Sequence, residues 1–198
     1  SNIENTMKYM FNNCSNLISI ELLNTSLTND LSYIFNNCTS IEELNLSSFI
    51  NPKIENKMES MFNNCNKLKI IDFSNLDISN IINPNKIFEG CYNLESLILT
   101  NLKAYNISNF TYMFSELINL ESIDLTNFIG SSINNTMEGM FYNCNKLKEL
   151  YLPNLDFSYT FNIQNIFTGC YSLYYINLSN FTTSIIDNFS NIFKDCNL

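Results

Sequence analysis

The chain has no histidine, only four glycines and three prolines, and ten basic residues against nineteen acidic ones in a length of 198. Without histidine no Ser-His or Cys-His pair can form, which removes the commonest routes to nucleophilic catalysis. Four scattered glycines build no phosphate-cradling loop. A net charge of −9 with no basic stripe argues against nucleic acid and gives no attraction to an anionic membrane surface. No apolar run approaches the roughly 20 residues of a membrane-crossing helix, so direct membrane insertion is not expected. Paired carboxylates such as Glu42 and Glu43 lie on successive, diverging positions and not across a cleft. The chain reads as a non-enzyme without cofactors.

What is present is asparagine, nearly one residue in five, and an apolar fraction of 45%. Asparagine bias often marks disorder, but the apolar residues between the asparagines are too regular for that. Internal periodicity explains them. A phenylalanine recurs at Phe11, Phe35, Phe62, Phe88, Phe114, Phe141, Phe167 and Phe193. Three residues after each comes Cys14, Cys38, Cys65, Cys91, Leu117, Cys144, Cys170 or Cys196. All seven cysteines share one slot and leucine fills it once, so the thiol reads as a small hydrophobe chosen for its volume. Equivalent slots in stacked units point the same way, which is poor disulfide geometry, and the count is odd. With no histidine and no C-x-x-C pair, a closed metal site would need thiols from several units.

Apolar residues also stand one and four before the phenylalanine, as in Met58 and Met61 or Met137 and Met140. Positions i, i+3, i+4 and i+7 form one face of a short two-turn helix. Five before the anchor stand Thr6, Asp30, Asn83, Asn109, Thr136, Asn162 and Asn188, residues whose side-chain oxygen caps an unpaired backbone N–H. After the cysteine the apolar period changes to two, as in KLKIIDF and NLESLIL, which predicts a short strand. An apolar plug follows at Phe49, Leu76, Leu102, Phe128, Leu155 or Phe181.

No single unit can bury its apolar face, so the units must stack into a solenoid. The expected fold is an α/β repeat solenoid, a right-handed stack of about eight coils of ~26 residues across 1–198. A parallel β-sheet forms one face and short two-turn helices the other. The pattern starts and stops in mid-unit, so the segment is expected to be part of a longer protein.

The run F-x-x-C-x-x-L-x-x-[IL]-x-L appears as FNNCTSIEELNL, FNNCNKLKIIDF, FEGCYNLESLIL, FYNCNKLKELYL and FTGCYSLYYINL. It resembles the BspA-like leucine-rich repeats of cell-surface proteins. The resemblance implies an extracellular adhesion or recognition module at the cell surface or secreted, with the sheet as its binding face. Its partner would be a host or neighbouring-cell protein or glycan. Outward strand positions there carry an acidic track and a tyrosine group, and the candidate binding residues are Glu43, Asp72, Asp124, Glu149, Tyr151 and Tyr175, with Tyr174 and Tyr171 nearby. Tyrosine offers large contact area with a polar tip; a solvated face is the competing reading of the carboxylates. No metal is expected, although Glu43, Asn45 and Asp72 could offer hard oxygen ligands between adjacent coils. The alternative function is a structural spacer that self-associates end to end through uncapped terminal coils.

Overall fold

The computed structural model describes residues 6–21, 30–46, 57–74, 76, 78–100, 106–126, 135–152, 160–178 and 186–197. The eight anchor phenylalanines form one column. Successive rings lie with centroids 5.5–6.0 Å apart and planes within 17° of parallel, from Phe11 through to Phe193. Each coil therefore repeats the last closely enough to set ring upon ring. Buried phenylalanine is worth roughly 1.5–3 kcal/mol, and each offset aromatic pair adds about 0.5–1.5 kcal/mol.

Beside this column run the strand residues. Strands β1 (Ile70–Asp72) and β2 (Ser96–Ile98) pair in parallel, with Ile71 opposite Leu97. Strands β4 (Glu149–Tyr151) and β6 (Tyr175–Asn177) pair in the same way, with Glu149 opposite Tyr175 and Tyr151 opposite Asn177. The two-residue period sends Ile71 and Leu150 into the core, while Asp72 and Tyr151 face out. A second parallel ladder precedes the anchor: β3 (Asn135–Thr136) pairs with β5 (Thr160–Asn162), and single bridges join Thr6 to Asp30 and Asn162 to Asn188. Phe73, from β1's exit, wedges edge-on against Phe62 and Phe88. Leu76 is buried, and the other apolar plugs lie outside the described residues.

The two-turn helices expected around each anchor do not form among the described residues, where consecutive turns stand in their place. The backbone explains the difference. Around each anchor the backbone amides alternate between two kinds of partner. The amides of Met10, Asn12 and Cys14 bond three residues back, to Met7, Tyr9 and Phe11. Those of Met7, Tyr9, Phe11 and Asn13 reach the next coil, to Asp30, Ser32, Ile34 and Asn36. A helix would spend every amide inside its own segment; the stack needs half of them for its neighbours. The switch is a positive φ two before and two after every anchor, for example Tyr33 and Asn37 or Ser60 and Asn64. Asparagine, glycine and aspartate tolerate that conformation best, and they fill seven of the eight places after the anchor.

The residues expected as helix caps still work as acceptors. Asp30, Asn109, Asn162 and Asn188 each accept the amide N–H two residues on at 2.9 Å. They close Asx turns, which cap a tight turn as they would a helix. Asparagines also ladder between coils: Asn36 donates to Asn12, Asn37 to Asn13 and Asn64 to Asn37, at 2.8–2.9 Å.

The cysteine column has a further use beyond volume. The thiols of Cys38, Cys65, Cys91, Cys144, Cys170 and Cys196 each donate to the anchor carbonyl of the coil before, at 3.0–3.2 Å. Except in the fifth coil, where Leu117 replaces cysteine, that same carbonyl accepts the next coil's thiol and its own coil's cysteine amide. All seven cysteines are free, five of them buried and Cys14 and Cys196 half-buried.

Candidate functional site

On the sheet side, the two-residue alternation and the coil register decide which side chains meet. Glu43, Asp72 and Asp124 are exposed there, Glu149 is half-buried on β4, and Tyr151 and Tyr175 are exposed on β4 and β6. They fall into two groups at different coils, with Asp124 between them.

The first group surrounds a hollow of about 510 Å³ over the first three coils. Its walls include Ser19, Glu42, Glu43, Asn45, Lys69, Ile70 and Asp72. Ile70 stands 56% exposed, an aliphatic side chain beside three carboxylates. Asp72 has a structural task as well: its Oδ1 accepts the Ser74 amide at 2.8 Å, closing the turn out of β1. Asp124 does the same with Thr126 at 2.9 Å, and those bonds hold its carboxyl below its ordinary value. The acidic track is thus partly turn chemistry. Glu43, Asn45 and Asp72 share the hollow, but among the described residues no group of three or more cysteine, aspartate and glutamate side chains is placed to hold a metal ion.

The second group centres on Glu149. The Tyr151 hydroxyl donates to Glu149 Oε2 at 3.2 Å, and the Tyr174 hydroxyl donates to Oε1. Both phenols are raised above their ordinary value, chiefly because each donates its proton to that carboxylate. The rings of Tyr151 and Tyr175 lie 5.2 Å apart at 37°. On the same coil as Glu149, Lys148 Nζ lies 2.6 Å from Oε2 of Glu121 on the preceding coil, and their hydrogen bond holds Glu121 below its ordinary value.

Tyr174 belongs to the site as a direct partner of Glu149, which the alternation of outward positions did not assign to it. The signal was available. Seven after the anchor stand Ile18, Glu42, Lys69, Glu95, Glu121, Lys148 and Tyr174, and every one is exposed. Strand alternation does not begin until the next residue, so that slot faces out too.

Burial keeps the five inner thiols protonated at neutral pH. It pushes the Cys38 thiol up to about 11 and those of Cys91 and Cys144 up to about 12. Among the described residues no helix is long and apolar enough to cross a membrane.

Among solved structures, the chain is similar to a leucine rich cell surface protein from Faecalibacterium prausnitzii A2-165, at 15% identity and a TM-score of 0.43, over 85% of this chain and 35% of that one. It is also similar to the T. pallidum Leucine Rich Repeat protein, at 18% identity and a TM-score of 0.39, over 63% of each. A leucine-rich repeat protein from Bacteroides ovatus is similar at 15% identity and a TM-score of 0.39, over 96% of this chain and 62% of that one. The chain spans from about a third to just under two thirds of these proteins' lengths. No curated protein is significantly similar to it. Residues 1–101 match the family described as BspA type Leucine rich repeat region (6 copies), and residues 56–170 and 135–198 match that described as Mycoplasma protein of unknown function, DUF285. The chain belongs to the BspA-type leucine-rich repeat family and, over its larger C-terminal part, to the DUF285 family.

Proposed function

We propose that residues 1–198 form one repeat domain that works as a recognition module of a cell-surface or secreted protein. It binds a host or neighbouring-cell protein or glycan through the sheet side of a right-handed coil, the hand of nearly all parallel crossovers. Glu43, Asp72, Asp124, Glu149, Tyr151 and Tyr175 supply the contacts, and the module is a binder and not an enzyme.

The observation that carries this reading is the clustering of exposed rings around Glu149 on β4 and β6. Tyrosine is enriched where proteins meet, because its ring buries area while its hydroxyl stays satisfied. A protein and glycan array probed with the chain and with a Tyr151→Ser/Tyr175→Ser variant tests it. Binding above background that the variant loses supports the reading; equal binding by both overturns it.

A second reading is a structural spacer that self-associates and carries no ligand of its own. Sedimentation of the 198-residue chain separates the two. Concentration-dependent chains with no array ligand favour the spacer, and a monomer with an array ligand favours recognition.

A further inference from the structure

The Glu149 patch carries a chemical preference that follows from its hydrogen-bond inventory. Two of its three phenols spend their one O–H on the carboxylate. A phenol oxygen then keeps only acceptor capacity, and an ionised carboxylate has nothing else to offer. The side chains of the patch therefore present chiefly acceptors and ring faces. Glu149 takes part in neither ion pair found among the described residues, and Lys148 on the same strand approach is held by Glu121. The charge of the whole chain, −9, points the same way.

A sugar hydroxyl is both donor and acceptor, so a neutral glycan would bring acceptors that few groups here can serve. A guanidinium brings five N–H donors in a plane, no acceptor, and weak hydration. It also stacks on aromatic faces. The Tyr151 and Tyr175 rings, 48% and 43% exposed and tilted by 37°, leave faces open beside the carboxylate.

We propose that the patch of Glu149, Tyr151, Tyr174 and Tyr175 is a receptor for an arginine side chain of a protein partner. The guanidinium donates to the Glu149 oxygens while lying against the Tyr151 or Tyr175 ring. The inference rests on the sheet-side recognition reading and names the chemistry of its partner.

Hexa-arginine, hexalysine and maltohexaose titrated into the 198-residue chain at about 0.15 M salt, where diffuse surface attraction is screened, test it. The readouts are calorimetric affinity and the ring resonances of the tyrosines. Hexa-arginine is expected to bind about fivefold or more tighter than hexalysine, the margin a stacked guanidinium gives. Glu149→Gln and Tyr175→Ala should each weaken it by about fivefold or more. Glu95→Gln, an equal change of net charge at an exposed site two coils before β4, should not. Circular dichroism checks each variant's fold, and shifts of the Tyr151 and Tyr175 rings in the unmodified chain report the site without any substitution. Equal loss in Glu95→Gln, equal affinity for hexalysine, or ring shifts with maltohexaose alone would overturn the assignment. If Glu149→Gln leaves array binding intact while abolishing the hexa-arginine site, the sheet-side reading stands and the arginine partner falls.

Discussion

At the anchor slot a phenylalanine has a ring above it and a ring below it, as Phe141 does between Phe114 and Phe167. Truncating one ring removes the burial and two stacking contacts together. Phe141→Ala should therefore lower stability by about 3–5 kcal/mol in chemical denaturation. Cys91→Ala deletes one methyl-sized group and a weak S–H bond, and should lower it by only about 1 kcal/mol. The same thiols set a pH limit. Their folded-state values, about 11 for Cys38 and about 12 for Cys91 and Cys144, lie above the ordinary value of 9.0. The unfolded chain releases those protons first, so the stability they support is full below about pH 9 and drains as pH rises toward 12. A denaturation series from pH 7 to 12 should show stability falling steeply above pH 9; a flat profile through that range would contradict buried thiols.

The element of this fold is a run of turns that shares its amides between its own coil and the next. Gly90 shows how tightly that is constrained: its φ is +75°, and a Cβ there would lie 2.3 Å from Asn64 Oδ1. Gly90→Ala meets both obstacles, and should cost about 1–3 kcal/mol. Asn13→Gly keeps the permissive conformation and loses only an exposed amide bond from Asn37, so it should cost less than half as much. Thermal melts of the two variants check the order. These positions also mark what was legible in the amino-acid pattern. The anchor, the cysteine slot, the cap residues and the strands of four coils could be read, because burial and capping leave periodic signatures; at 43–46 and 122–125 the in-and-out alternation holds but no strand forms. The turns could not be told from helices by periodicity, because apolar residues at −4, −1, 0 and +3 suit either. What separated them was the asparagine or glycine two after the anchor, at Asn37, Asn64, Gly90 and Gly169, a run of conformational markers that a helix would have no reason to keep. The candidate site was legible as Glu149, Tyr151 and Tyr175 on one face. Tyr174's bond to Glu149 was not, because strict alternation discounts a slot just ahead of the strand.

For the molecule as a whole, a stack whose units are held chiefly by their neighbours should grade its protection along its length. Cys14 and Cys196 are half-buried in the first and eighth coils, and five thiols are buried between them. Iodoacetamide at pH 8 should therefore label Cys14 and Cys196 first, with the inner five reacting at the rate of unfolding. Peptide mass spectrometry reads this directly, and early labelling of Cys91 would contradict a dry interior. The central claim is that coils are joined by their own amides, and one bond separates it from a helical stack. The Phe88 amide donates to the Met113 carbonyl of the next coil at 3.2 Å, whereas a helix would send it to Pro84. A through-hydrogen-bond scalar coupling measured by NMR on the labelled chain should link Phe88 nitrogen to the Met113 carbonyl carbon. A coupling to the carbonyl of Pro84 in its stead would contradict the account.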